Sequence, residues 1–261
     1  MSGPIILYDL PSRTGTCWSL NPWKSPPHQP LHNTIVRTNA RAARAALNFK
    51  VLPYNTQWTE YPDLEPKFKS FSIPPNPAGS LAAYSSPAVR MPDGTYIMDS
   101  RAIADALEKL QPEPSLHLDS QYVEKVQELV LELWDALRPI AMPRIPTTVL
   151  PPASAEYFER TRAVRFGMTL TELGQSDQAG SQAWENAQQG IVAMKAVLEE
   201  HKGPFVLGKE ASYADLIWGG FWHMMSRVSR DGDLTKCFSE QGGDVFDRHF
   251  DACKQWYEKD K

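Results

Sequence analysis

Ser12, Cys17 and Ser19 follow the apolar run Ile5-Ile6-Leu7-Tyr8 and are the front segment's candidates for hydroxyl or thiol chemistry. A serine hydroxyl cannot act as a strong base, but it donates a hydrogen bond to an anion. A cysteine thiolate attacks disulfides. On residue type alone, Ser19 reads equally as a turn or N-cap serine, and Ser12 stands closer to the end of the apolar run. Cys17, with no Cys-x-x-Cys around it, reads as an apolar filler or as a reactive thiol. Further along, Asp99-Ser100 precedes a helical repeat. The pair can cap that helix, or it can offer a carboxylate to a cation and a hydroxyl with an N–H to an anion. His28 and His32 are four apart in a proline-rich stretch with no third ligand near, and the three cysteines are dispersed. No metal site is expected.

These residues need elements to hold them. Ile5–Tyr8 suits a buried strand. Val51–Trp58 is a second strand that begins after Pro53 or lies at an edge. Ala88-Val89-Arg90 and Thr95-Tyr96-Ile97-Met98 flank Pro92-Asp93-Gly94, a hairpin signal in which Gly94 tolerates positive φ. Ile103, Ala104, Ala106 and Leu107 then recur at helical spacing, and Asp99 or Ser100 caps that helix. Strand, helix, strand, helix, hairpin, helix is the outline of a thioredoxin-like α/β domain, assigned to residues 1–112.

Gln111-Pro112-Glu113-Pro114-Ser115 is a polar, proline-rich break. Beyond it the period becomes helical, and residues 118–261 form an all-α helical bundle. Val123, Val126, Leu129, Val130, Leu133, Trp134 and Leu137 mark a helix that ends near Pro139. A proline-rich loop is expected up to Pro152, then a helix from about Ser154 to Leu173. Another helix carries Trp184, Ala187, Ile191, Met194, Val197 and Leu198. Ser212-Tyr213-Ala214-Asp215 reads as a capping box with Asp in place of Glu, holding a buried helix in place.

The assembled pattern resembles the cytosolic glutathione transferase superfamily. The residues that carry the resemblance are Ser19-Leu20-Asn21-Pro22-Trp23-Lys24, Ser86-Pro87-Ala88-Val89, Asp99-Ser100-Arg101-Ala102-Ile103-Ala104, and Leu207-Gly208 followed by Ser212 and Asp215. Ser-x-x-x-Trp-Lys and Arg44-Ala45-Ala46-Leu47-Asn48-Phe49-Lys50 are most similar to the β-etherase-type and fungal serine transferases. The resemblance implies a front domain that binds glutathione as co-substrate and a helical domain that supplies the pocket for a hydrophobic electrophile. Ether cleavage is the reaction of that subclass. Ser19 falls at the catalytic position. Trp23 falls within the glutathione-binding motif, as do Ser86, Pro87 and Ala88, where Pro87 matches a cis-proline beside which the backbone pairs with the cysteinyl unit. Asp99 and Ser100 match the pair that holds the γ-glutamyl end. Many relatives of this type form homodimers, and the resemblance implies a homodimer here.

The chemistry suits those residue types. The thiol of glutathione has a pKa near about 8.5, so little of it is thiolate at neutral pH. Lowering it by about two units takes roughly 2.7 kcal/mol. One charge-assisted hydrogen bond supplies roughly 1.5–3 kcal/mol of that, and a helix N-terminus adds a fraction more. Two alternatives stand beside the enzyme: a transferase-fold protein that binds glutathione or an apolar ligand without turnover, and a Cys17-based thiol–disulfide transferase. Trp18, Trp23, Trp134, Arg138 and Met142 are either core residues or walls of the co-substrate pocket.

The chain departs from the family pattern between Trp-Lys and the helix at Ala43-Arg44-Ala45-Ala46-Leu47. Ser25 to Ala42 intervene, with Pro26, Pro27 and Pro30 and no acidic residue. Proline does not sit inside a helix without loss, so the insertion at about 25–42 falls where the first helix should support the catalytic loop. It reads either as a surface loop or as an error in the gene assignment, because its removal restores a continuous Trp-Lys-Ala-Arg-Ala-Ala-Leu.

Composition sets the remaining bounds. Of 261 residues, 42% are hydrophobic and 22% charged, ordinary globular values. Lys+Arg total 27 against 31 Asp+Glu, a net −4 that lacks the signature of a nucleic-acid binder. No apolar run is long enough to span a membrane, and the N-terminus has no basic flank of a secretion signal. A cytoplasmic setting is expected.

Overall fold

The computed structural model describes residues 3–14, 40–78, 80 and 82–258. Most of the inserted segment, residues 25–39, lies outside that set, and so do His28 and His32.

The front of the chain folds as β1 (Ile5–Asp9), α1 (Ala40–Phe49), β2 (Tyr54–Trp58), α2 (Tyr61–Ser70), β3 (Ala88–Arg90), β4 (Tyr96–Met98) and α3 (Ser100–Leu110). The four strands form one sheet in the order β2-β1-β3-β4. β1 runs parallel to β2 and antiparallel to β3, and β3 and β4 make the hairpin. Pro53 falls just before β2, where its missing N–H breaks no ladder bond, and β2 is an edge strand as its proline implied. Gly94 turns the hairpin with φ +92°.

α1 packs between the sheet layer and the helical domain, touching α3 and α9. Ala42, Ala43, Ala45, Ala46 and Leu47 are all fully buried. Four small side chains let the helix approach its neighbours closely on more than one side.

The back of the chain is α4 (Gln121–Ala141), a 3-10 turn at Met142–Arg144, α5 (Ile145–Thr148), α6 (Pro152–Phe166), α7 (Leu170–Gln175), α8 (Ser181–Glu199), α9 (Tyr213–Val228), α10 (Asp233–Gly242), α11 (Val245–Cys253) and a 3-10 turn at Lys254–Trp256. Three sequence expectations need correction here. α4 does not end at Pro139 but runs through it to Ala141. Leu133, Leu137 and Ala141 keep its buried stripe continuous, and that packing outweighs one lost backbone bond. The expected proline-rich loop is instead a pair of short helical turns, with prolines in their first turns where the absent N–H costs little. The single helix expected from Ser154 to Leu173 is two. Gly167 ends α6 in the left-handed region, and Thr169 with Glu172 opens α7 in a capping box.

The helical core is aromatic: Trp218 and Phe221 of α9 lie against Phe238 of α10 and Phe246 of α11. The box at the head of α9 forms as expected and is wholly buried. Asp215 Oδ2 accepts from the Ser212 N–H at 2.7 Å and the Ser212 hydroxyl at 2.8 Å. Its Oδ1 accepts from Val206 N–H at 2.7 Å and lies 2.9 Å from His249 Nε2 of α11, a partner the sequence did not suggest.

One seam joins the halves at Arg13, and a second cluster at Lys50 ties the end of α1 to α3 and to the linker that follows it. Arg13, just past β1, donates from Nε to the Leu150 carbonyl at 2.6 Å and from Nη2 to the Pro146 carbonyl at 3.3 Å. Lys50, after α1, is fully buried. Its Nζ lies 2.6 Å from Glu108 Oε2 and donates to the carbonyls of Gln111 at 2.6 Å and Pro114 at 2.9 Å.

Candidate functional site

The front domain gathers polar groups at one end of its sheet, where β1 and β2 both end. Asp9, the last residue of β1, is a carboxylate with 1% exposure. Its Oδ2 accepts from Arg44 Nε at 3.0 Å and lies 2.9 Å from Nη2. Its Oδ1 accepts from Leu10 N–H at 2.8 Å and, at the longer distance of 3.4 Å, from the Ser86 hydroxyl. One side chain thus ties the start of the loop after β1, helix α1 and the approach to β3.

Arg44 carries the network further. Its Nη1 donates to the Tyr54 hydroxyl at 3.3 Å, and the guanidinium lies 5.2 Å from the Trp58 ring centroid. Tyr54 donates to Asn48 Oδ1 at 3.0 Å, and the Asn48 amide donates to the Trp256 carbonyl at 2.8 Å. The buried charge is therefore paired and hydrogen-bonded, as burial requires.

The second group of residues sits across the hairpin. Ser86, Pro87 and Ala88 are buried, and the Ser86–Pro87 bond is cis. Ala88 pairs with Met98, which sets Ser86 and Pro87 opposite Asp99 and Ser100. Asp99 N–H reaches the Pro87 carbonyl at 3.4 Å. Asp99 takes φ +94°, a strained value for a non-glycine residue, and from there its Oδ1 accepts from Arg101 N–H at 2.9 Å and Ala102 N–H at 3.1 Å. It caps α3, as expected. Ser100 is buried, with its hydroxyl bonded to the Tyr213 phenol of α9. Burial pushes that phenol well above its ordinary range, and the Ser100 bond pulls the other way.

Of the site residues the sequence singled out, the fold brings Ser86, Pro87, Ala88, Asp99 and Ser100 together. Ser19, Trp23, Cys17 and Trp18 lie outside the described residues. Ser12 is buried beside the Asp9 end of β1, its hydroxyl 3.0 Å from that of Thr14. Trp134 and Met142 are core residues, with 3% and 5% exposure. Arg138 keeps partial exposure, pairs with Asp135 at 2.9 Å and lies over the Phe166 ring. Cys253 is buried, and desolvation raises its thiol well above the ordinary value. Cys237 is half-buried and raised for the same reason. Among the described residues no group of His, Cys, Asp and Glu could hold a metal ion, and no helix is long and apolar enough to cross a membrane.

Sequence reasoning missed Asp9, Arg44 and Tyr213. A signal existed for Arg44: a charge set among the alanines of an alanine-rich helix, Ala42, Ala43, Ala45 and Ala46, needs a buried partner. Asp9 ends an apolar strand and was open to the same reading.

The comparisons with known proteins agree on one family. A glutathione S-transferase N-terminal domain model matches residues 37–110, and a glutathione S-transferase C-terminal domain model matches residues 122–256. The chain is 30% identical over 239 residues to the glutathione S-transferase-like protein ustS of Aspergillus flavus, covering 85% of this chain and 84% of that one. A glutathione S-transferase of Ceriporiopsis subvermispora, solved in complex with glutathione, aligns with a TM-score of 0.79 at 27% identity over 97% of this chain and 98% of its own. The β-etherase LigF of Sphingobium shares the fold, with a TM-score of 0.59 at 15% identity over 98% of this chain and 99% of its own.

Proposed function

The chain belongs to the glutathione S-transferase family, and on that premise we propose that it binds reduced glutathione on the front domain and presents the thiolate to a hydrophobic electrophile held against the helical domain. The observation that carries this reading is the meeting of cis-Pro87 with the Asp99 helix start across the β3–β4 hairpin. A γ-glutamyl end has an ammonium and a carboxylate. Asp99 offers a carboxylate to the first, and the N-terminus of α3 favours the second through its dipole. The extended backbone at Ser86-Pro87-Ala88 offers peptide groups to the cysteinyl unit.

In this reading Ser19 stands against the sulfur and donates a hydrogen bond to it. The thiol proton leaves to solvent. The sulfur then attacks the electrophilic carbon, a C–S bond forms, and the leaving group departs with its electron pair. Asp9 and Arg44 contribute no proton to this step. They hold the strand end from which the loop departs. Ether cleavage is the same displacement with an aryloxide as leaving group, and a β-aryl ether substrate assays it directly.

Calorimetric titration with reduced glutathione, followed by conjugation of an aryl halide, tests the proposal. Binding with conjugation, and loss of conjugation in Ser19→Ala while glutathione still binds, are the expected results. Binding without turnover selects the non-catalytic reading. Loss of activity in Cys17→Ser with Ser19→Ala unaffected selects disulfide exchange instead.

A further inference from the structure

Residues 71–87 join α2 to β3 and end in the segment that the proposed function sets against the cysteinyl unit. The described residues of this loop form neither helix nor strand. No ladder or helix bond fixes its backbone, and a loose loop loses conformational entropy when it grips a ligand.

Asn76 closes the loop on itself. It stands between Pro75 and Pro77, whose rings restrict the backbone on either side. Its N–H donates to the Ala83 carbonyl at 2.7 Å. Its side-chain amide donates to the Ala82 carbonyl at 3.0 Å and to Ser85 Oγ at 3.3 Å. One residue thus holds three positions of the returning limb, the last of them two residues before Pro87.

The sheet grips the same limb. Ser85 N–H donates to Met98 Sδ of β4 at 3.3 Å, and the Ser86 hydroxyl donates to Asp9 Oδ1 of β1 at 3.4 Å. Met98 is also the ladder partner of Ala88 and directly precedes Asp99. Its sulfur therefore fixes Ser85 relative to the strand that leads into Asp99. Three side chains from three parts of the fold, Asn76, Met98 and Asp9, converge on Ser85 and Ser86.

The residue types suit the task. The Ala82 carbonyl only accepts, so its partner must donate, and an amide does so where a carboxylate would oppose it. A thioether is a weak acceptor that meets one N–H while its carbon body packs.

We propose that Asn76 and Met98 are positioning residues for glutathione binding: they set Ser85 before the ligand arrives, so that the peptide groups of Ser86 to Ala88 meet the cysteinyl unit already ordered. The inference rests on the transferase reading above and adds to it the residues that prepare its peptide-binding edge.

The test uses the full-length protein. Asn76→Asp keeps the size and replaces both amide donors by an acceptor facing the Ala82 carbonyl, while Met98→Leu keeps the bulk and removes the sulfur. By calorimetry, glutathione and S-methylglutathione should both bind about fivefold or more weakly to Asn76→Asp. The factor should be the same for the two ligands, because the loss falls on the peptide and not on the sulfur. Met98→Leu should weaken both in the same direction. With an aryl halide as electrophile, KM for glutathione should rise in step, while kcat at saturating glutathione and the pH midpoint of kcat hold. A lowered thermal midpoint with KM for glutathione unmoved would assign both residues to the fold alone and overturn the proposal. Unchanged glutathione affinity in both variants overturns it too and leaves the transferase reading intact. No glutathione binding by the wild type overturns the transferase reading and this inference with it. Met98→Leu, which leaves the loop's own bonds in place, carries the test if Asn76→Asp fails to fold.

Discussion

Asp9 and Arg44 form a buried ion pair that joins the end of β1 to α1, with Nε and Nη2 converging on a single carboxylate oxygen at 3.0 and 2.9 Å. Removing one partner strands the other away from water, a change that costs roughly 3–5 kcal/mol. Arg44→Met should therefore destabilise strongly. The double variant Asp9→Asn/Arg44→Met should lose clearly less than the sum of the single changes. Urea unfolding of the four proteins measures this, and strictly additive losses would show that the two side chains are not coupled.

Asp99 serves the helix and, in the proposed function, the ligand. Asp99→Gly keeps the backbone at positive φ without strain and costs only a few tenths of a kcal/mol in capping. Asp99→Ala loses the cap, roughly 1 kcal/mol, and meets the backbone strain as well. Thermal unfolding should rank the glycine variant above the alanine variant. Both should bind glutathione about tenfold or more weakly by calorimetry, since each lacks the carboxylate. Wild-type affinity in Asp99→Gly would remove this residue from the binding site.

Glu108 faces Lys50 where the end of α3 meets the end of α1 and the linker. Burial alone would raise its carboxyl, but the bonds from Lys50, Leu116 N–H and Ser115 prevail and hold it below the ordinary 4.5. A lowered folded value means that the pair stabilises fully above the unfolded value, and that this stability fades as pH falls through the lowered one. Glu108→Gln should thus be less stable at pH 7, with a smaller further loss on acidification below about pH 4.5. A variant whose stability falls on acidification as steeply as the wild type's would contradict the assignment.

Asp215 accepts from Ser212 twice and from Val206, and it pairs with His249, all without exposure to water. Asp215→Ala leaves these donors buried and unmet, a loss of roughly 3 kcal/mol or more. His249→Phe removes one partner only and should cost clearly less. Chemical unfolding that ranks the two in the opposite order would mean that the contact between α9 and α11 outweighs the box itself.

Local chemistry made much of this fold readable before any coordinates. Asp93-Gly94, the Asp99 cap and the Ser212–Asp215 box each declare themselves within four residues, and each forms. The misreadings came where packing overrode a local rule, as in the helix that continues across Pro139, or where a break was quiet, as at Gly167. The rest was illegible for another reason. Arg44 with Asp9, Ser100 with Tyr213, and Arg162 with Tyr61 join residues far apart in the chain, and no period or motif encodes such partners. The candidate site was half visible in the same way: its two ends appear as motifs, while the ion pair that steadies it does not.

Arg13 grips two backbone carbonyls of the back half, and Arg44 fastens the first helix to the strand that precedes Arg13. The chain is therefore fastened on both sides of residues 15–39, to the back half before them and to β1 after them. Those bonds join residues outside 15–39, so a substitution within that segment removes none of them.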